Sequence, residues 1–136
     1  MEIAILANDK TTALEMARSI RVGPHDYPDA RLVETVLSGA PPQTVRDRSR
    51  ETEALSDRIN VPEAHFIEAR YLAWTGHTDA ALRLLRRAIA NNYCSYPVMD
   101  TDPLLANVRR LPEYKELRHS GVECRDKFRA QMKSLQ

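Results

Sequence analysis

Residues 71–92, YLAWTGHTDAALRLLRRAIANN, constrain the fold more than any other stretch. Small residues at Ala73, Gly76, Ala80, Ala81, Ala88 and Ala90 alternate with bulky apolar ones at Leu72, Trp74, Leu82, Leu84, Leu85 and Ile89. Two antiparallel helices approach closely only where small side chains meet large ones across their interface. Upstream, Ala64, Ile67, Tyr71 and Trp74 make one helical stripe, and Pro62 and Glu63 suit a first helical turn. Gly76 ends that helix and Thr78 caps the next, in which Ala81, Leu82, Leu85, Ala88 and Ile89 point inward. The segment therefore reads as a tight helical hairpin.

The rest of the chain agrees with an all-α fold. Ile3, Leu6, Ala13, Leu14, Ala17 and Ile20 predict a helix over 3–22, which the prolines of GPHDYP at 23–28 break. Asp29 opens a short helix through Leu32, Val33, Val36 and Leu37, closed by Gly39. Val45, Ala54, Leu55 and Ile59 give the next helix a narrow buried edge with a charged back. Tyr96-Pro97 ends a connector, Thr101 or Asp102 followed by Pro103 starts a helix with Leu104, Leu105 and Val108 inside, and Leu111-Pro112 breaks it. Gly121 is expected to stop the following helix. A last segment with Val122, Cys124, Phe128, Met132 and Leu135 is helical by spacing. No strand is needed, and no hairpin-turn dipeptide sits between alternating apolar residues.

The hairpin at 62–95 resembles a tetratricopeptide repeat (TPR), a unit of about 34 residues. With Pro62 as the first residue, Ala69, Gly76, Ala81, Leu85 and Ala88 fall on the family's signature positions. Leu72 replaces the usual tyrosine, and Tyr93 stands where proline is common. The stretch YPVMDTDPLLANVRRLPEYKEL looks like the end of TPR regions in bacterial multidomain regulators. Its matching elements are Asp102-Pro103, Arg109 or Arg110, and Pro112-Glu113-Tyr114 to Leu117. Such regions often follow winged-helix or protein-kinase domains, and neither is present. The resemblance covers roughly residues 60–120. It implies hairpins stacked as a short right-handed solenoid, a single domain over 1–136 with the best repeat at 62–95, a cap-like segment at 96–120 and degenerate helices at 3–59. One hairpin cannot bury its faces alone, so flanking helices are expected to cover both sides. The chain also reads as a piece of a longer protein.

The resemblance further implies a concave binding surface lined by the first helix of the hairpin, here Glu63, Phe66, Arg70, Ala73 and Trp74. Phe66, Arg70 and Trp74 step by four, placing an arginine between two aromatics as a carboxylate clamp. Phe66 and Trp74 have an equal reading as core residues packed on the preceding helix. Tyr93, Tyr96 and Tyr114 read as seals between hairpin and cap, and Asp102 and Pro103 as helix-start residues.

Other functions find little support. The formal net charge of +1 gives no general pull toward nucleic acid or anionic lipid, although Arg83, Arg86 and Arg87 form a basic edge. The four histidines (His25, His65, His77 and His119) are scattered, and no phosphate loop, Gly-x-Ser-x-Gly or His-Glu-x-x-His occurs. No catalysis, cofactor or metal is expected. The two cysteines, Cys94 and Cys124, lack metal-ligand spacing and read as small buried hydrophobes in a reducing, cytoplasmic setting. No stretch has the length of a membrane span, and the start lacks the features of a secretion signal. The expectation is a non-catalytic protein–protein interaction module binding a peptide or partner helix, with self-association as a homodimer through exposed helical ends as the alternative.

Overall fold

The computed structural model describes residues 1–21, 27–94 and 96–135. All regular structure among them is helical. The expected break at 23–28 lies mostly outside the described residues. The chain folds as two compact units, Met1–Ile59 and Asn60–Gln136, where the sequence predicts one domain. The boundary falls where the repeat-like pattern begins.

The first unit holds α1 (Glu2–Leu6), α2 (Lys10–Arg21), α3 (Pro28–Leu37) and α4 (Pro42–Arg58). The helix expected over 3–22 is two helices. Asn8 adopts a left-handed φ of 57°, and Asp9 Oδ1 accepts the Thr12 N–H at 3.1 Å, capping α2. Gly39, at φ 73°, closes α3 as expected. The interior is built from small groups: Ala4, Ala13, Ala17 and Ala30 pack with Leu32 and Val33. From α4 the buried residues are Ser49, Thr52 and Ser56, whereas Ala54 and Ile59 are exposed. Ser49 and Thr52 donate their hydroxyls back to Val45 O and Arg48 O at 2.9 and 3.0 Å, so burial leaves both satisfied.

The second unit holds α5 (Pro62–Trp74), α6 (Thr78–Ala90), α7 (Tyr96–Thr101), a 3₁₀ turn at Pro103–Leu105, α8 (Ala106–Arg109) and α9 (Pro112–Ser134). The hairpin of α5 and α6 is present, with Ala69, Leu72, Ala73, Ala81, Leu85 and Ala88 all fully buried along its seam. Gly76 turns the chain at φ 85°, with its N–H bonded to Ala73 O and the His77 N–H to Leu72 O. That pattern needs a left-handed residue at the turn. Thr78 is the first helical residue and His77 the cap.

Two expectations fail in the last third. Tyr96 and Pro97 begin a helix, because Pro97 sits in the first turn, where its missing N–H costs nothing. Gly121 does not stop a helix: α9 runs through it for 23 residues. A Cβ built at Gly121 would lie 3.4 Å from Met99 Sδ and 3.5 Å from Tyr96 Cβ. This glycine lies inside a continuous helix, where a methyl group would meet α7 at ordinary contact distance, and does not mark a terminus.

Candidate functional site

Two of the five residues expected to line a groove, Phe66 and Ala73, are buried. Phe66 is 5% exposed, and its ring centre lies 5.1 Å from that of Tyr93. Arg70 Nε donates to Asp102 Oδ2, and the two side chains are 15% and 1% exposed. Ala73 is fully buried, and its carbonyl accepts from Asn107 Nδ2 at 3.0 Å. Trp74 is half-buried and only Glu63 is exposed. The surface assigned to Glu63, Phe66, Arg70, Ala73 and Trp74 is corrected in part: Phe66 and Ala73 lie in the interior, and the segment Pro103–Arg109 packs on α5. Buried residues occur around most of α5, including His65 and Glu68, and the side left unburied is the line Glu63, Ile67, Arg70 and Trp74.

Asp102, Arg109 and Tyr114 form a knot of hydrogen bonds between α5, α7 and the segments that follow. Asp102 Oδ1 accepts the Leu104 N–H at 2.9 Å while its other oxygen holds Arg70. Arg109, and not Arg110, donates to Asp102 O at 2.7 Å and to Met99 O at 3.3 Å. Tyr114 is 2% exposed and its hydroxyl donates to Met99 O at 2.6 Å. Burial pushes that phenol well above its usual range. Tyr93 packs on Phe66 of the hairpin, and Tyr114 ties α9 to α7. The Tyr96 ring lies under two guanidinium groups, Arg125 at 4.4 Å and Arg118 at 5.0 Å.

The cysteines overturn their sequence reading. Cys94 and Cys124 form a disulfide, with Cα atoms 5.4 Å apart across 30 residues. Both are half-buried, not core hydrophobes, so the argument from cysteine usage for a reducing compartment lapses. No helix among the described residues is long and apolar enough to cross a membrane. The bond ties the connector after α6 to the middle of α9. It forms one wall of an open groove of about 540 Å³, lined also by Ile89, Ala90, Lys127 and Phe128.

Beyond that wall α9 continues. Tyr114, Leu117, Gly121, Cys124, Phe128, Met132 and Leu135 are spaced by 3, 4, 3, 4, 4 and 3, a single line along the helix. The line is buried at Tyr114, Leu117 and Gly121, and exposed at Phe128 (58%), Met132 (47%) and Leu135 (80%). The stretch Arg125–Ser134 rises about 15 Å, and every residue from Asp126 to Leu135 is exposed. Lys127 and Arg129 lie on opposite margins of the line, about 100° to either side of Phe128. The spacing signal was present in the sequence, but reading Gly121 as a stop divided it.

Three of the four histidines fall among the described residues. His65 is buried in α5, His77 Nδ1 lies 3.0 Å from Thr75 Oγ1, and His119 pairs with Glu123 on the surface. His25 lies outside the described residues. Among the described residues no three His, Cys, Asp or Glu side chains converge as a metal site. No family model matches the sequence, and no match is found among curated proteins or solved structures.

Proposed function

We propose that this chain is a non-catalytic protein–protein interaction module, a short TPR-like scaffold that receives a helix from a partner protein. The docking surface in this reading is the groove beside α9 and the helix end that projects from it. The single observation that carries the reading is the continuous line on α9. Its first half packs inside the unit, and its second half presents Phe128, Met132 and Leu135 to solvent. A row with the spacing of a helix–helix seam is complementary to another helix. Its margins are basic, at Lys127 and Arg129, so the fitting partner is an amphipathic helix with an apolar stripe and carboxylates along both edges. The small-residue seam of α5 and α6 and the capping knot supply the rigid support such a surface needs.

The test is titration calorimetry of the full chain with two synthetic helices sharing a leucine stripe, one edged with glutamate and one with lysine. Saturable binding of the glutamate-edged helix, weakened at least about tenfold by F128A/M132A and reversed in preference by K127E/R129E, is expected. Equal binding of both helices, or of neither, refutes the reading. A concentration-dependent dimer lost in F128A/M132A also refutes it, and assigns the face to a second copy of the chain.

A further inference from the structure

We infer that the Cys94–Cys124 bond is a thiol–disulfide exchange site, opened by a small thiol or dithiol attacking Cys94 Sγ, with Cys124 leaving as thiolate. The inference rests on the cysteine pair and its surroundings and does not require a partner helix. Three observations carry it.

The first is access. Both cysteines are half-buried and both line the open groove with Asn92, Lys127 and Phe128, so an attacking sulfur meets the bond without unfolding. Exchange depends on access as much as on thiolate character.

The second is the asymmetry of the two sulfurs. Cys124 lies in α9 one turn before Lys127, a spacing that places neighbouring Cβ atoms about 5–6 Å apart, and Lys127 lines the same groove. Glu123 lines it too, but as the adjacent helix residue it departs about 100° from Cys124. An ammonium group beside a sulfur favours its thiolate and improves it as a leaving group. Cys94 sits in the connector after Asn92, with its sulfur 3.4 Å from the Asn92 carbonyl oxygen. Cys124 Sγ also has a carbonyl oxygen nearby, that of Ile89, but at 4.0 Å; the closer carbonyl lone pair disfavours a thiolate more at Cys94, so Cys94 is the sulfur to attack and Cys124 the one to release.

The third is that the unit does not depend on the bond for its packing. The α9 residues that fill the interior, Tyr114, Leu117 and Gly121, all precede Cys124. Opening the bond frees the groove wall and the projecting end of α9 while the knot around Asp102 stays closed.

The chemistry balances as two displacements. A thiolate attacks Cys94 Sγ, the Sγ–Sγ bond breaks, and Cys124 leaves with the electron pair and takes a proton from water. The product is a mixed disulfide on Cys94. A second thiolate, or the second sulfur of a dithiol, attacks the outer sulfur of that mixed disulfide and releases Cys94, which is protonated in turn. Two electrons pass from the thiol pair to the protein, and the thiol reagent becomes the disulfide.

The experiment uses the folded, oxidised full chain and reduced glutathione as the probe, without denaturant. The products are quenched by alkylation and mapped by mass spectrometry. The expected result is glutathione on Cys94 and an alkylated Cys124, formed at a rate that low denaturant does not change. K127Q is expected to slow the first displacement roughly threefold, with the denaturation midpoint of the oxidised chain unmoved. Three results would overturn the inference: an adduct mainly on Cys124, exchange whose rate follows global unfolding, or an unchanged rate in K127Q. The C94S and C124S single variants confirm the site assignment, because each should take the alkylating reagent on its one remaining thiol while staying helical by circular dichroism. Loss of helical structure in either would refute the claim that packing is independent of the bond.

Discussion

Arg70 of α5 donates to Asp102, a residue 32 positions later that also caps the following turn through Leu104 N. One carboxylate therefore performs two tasks. It neutralises a mostly buried guanidinium and supplies the acceptor that starts the Pro103–Leu105 turn. The side chain that sequence reasoning offered as a clamp for a ligand already holds an internal carboxylate.

Replacing Asp102 with alanine removes both tasks at once. Breaking a buried ion pair from one side costs about 3–5 kcal/mol, because the remaining charge is left without compensation. Urea denaturation of D102A should show a loss of this size in the second unit. R70M leaves the Asp102 carboxylate, 1% exposed, without its guanidinium and should cost a similar amount, and the double variant should cost less than the sum of the two.

Two glycines should respond to alanine in opposite directions. Gly76 has a φ of 85°, and an alanine there pays roughly 1–2 kcal/mol for the left-handed conformation. Gly121 is helical, and its added Cβ would meet Met99 and Tyr96 at ordinary contact distance. G121A should therefore gain about 0.5–1 kcal/mol from helix propensity, whereas G121L should lose about 1–3 kcal/mol by overpacking. Thermal denaturation of the three variants would reveal the order.

Tyr114→Phe tests the knot directly. The hydroxyl lost is buried, but its acceptor, Met99 O, also receives Arg109. The carbonyl keeps a partner, so the cost should be near 1 kcal/mol and not the larger penalty of an orphaned buried group. A loss above about 3 kcal/mol in chemical denaturation would contradict this account.

Acid should loosen the contact between Asp100 and Arg118. Two hydrogen bonds from Arg118, at 2.7 and 2.9 Å, hold the Asp100 carboxyl below the usual carboxylate range. A carboxyl lowered in the folded state contributes stability that is fully present above its unfolded value of about 3.9 and is lost as pH falls through the folded value. The pair is exposed, so the effect is small and screened by salt. Denaturation midpoints of the parent chain and D100N should run parallel from neutral pH down to about 4, and converge below it.

The hairpin of α5 and α6 was legible because its signal is local: alanines at helical steps and one glycine at the turn specify a close pair of helices without knowledge of the rest. Asp102 and Leu104 were legible for the same reason. What failed depended on distant partners. Phe66 and Arg70 have the spacing of an open row, and only the arrival of Tyr93 and Asp102 engages them. Gly121 was misread because a glycine that ends a helix and one inside a continuous helix look alike in one dimension. Cys94 and Cys124 carry no spacing that announces a bond. In α4 apolar spacing does not reveal the buried Ser49, Thr52 and Ser56; the hydroxyls of Ser49 and Thr52 turn back on their own helix.

That hydroxyl-lined edge has a consequence for how the chain comes apart. The interior of the first unit is mostly methyl groups and alcohols, so each residue yields little apolar area to water on opening. Close backbone packing is retained, but the reward for maintaining it is modest. Amide protons of α2 to α4 should therefore exchange with deuterated solvent ahead of those in α5 and α6, and on warming Met1–Ile59 should melt while the alanine-seamed hairpin is still intact.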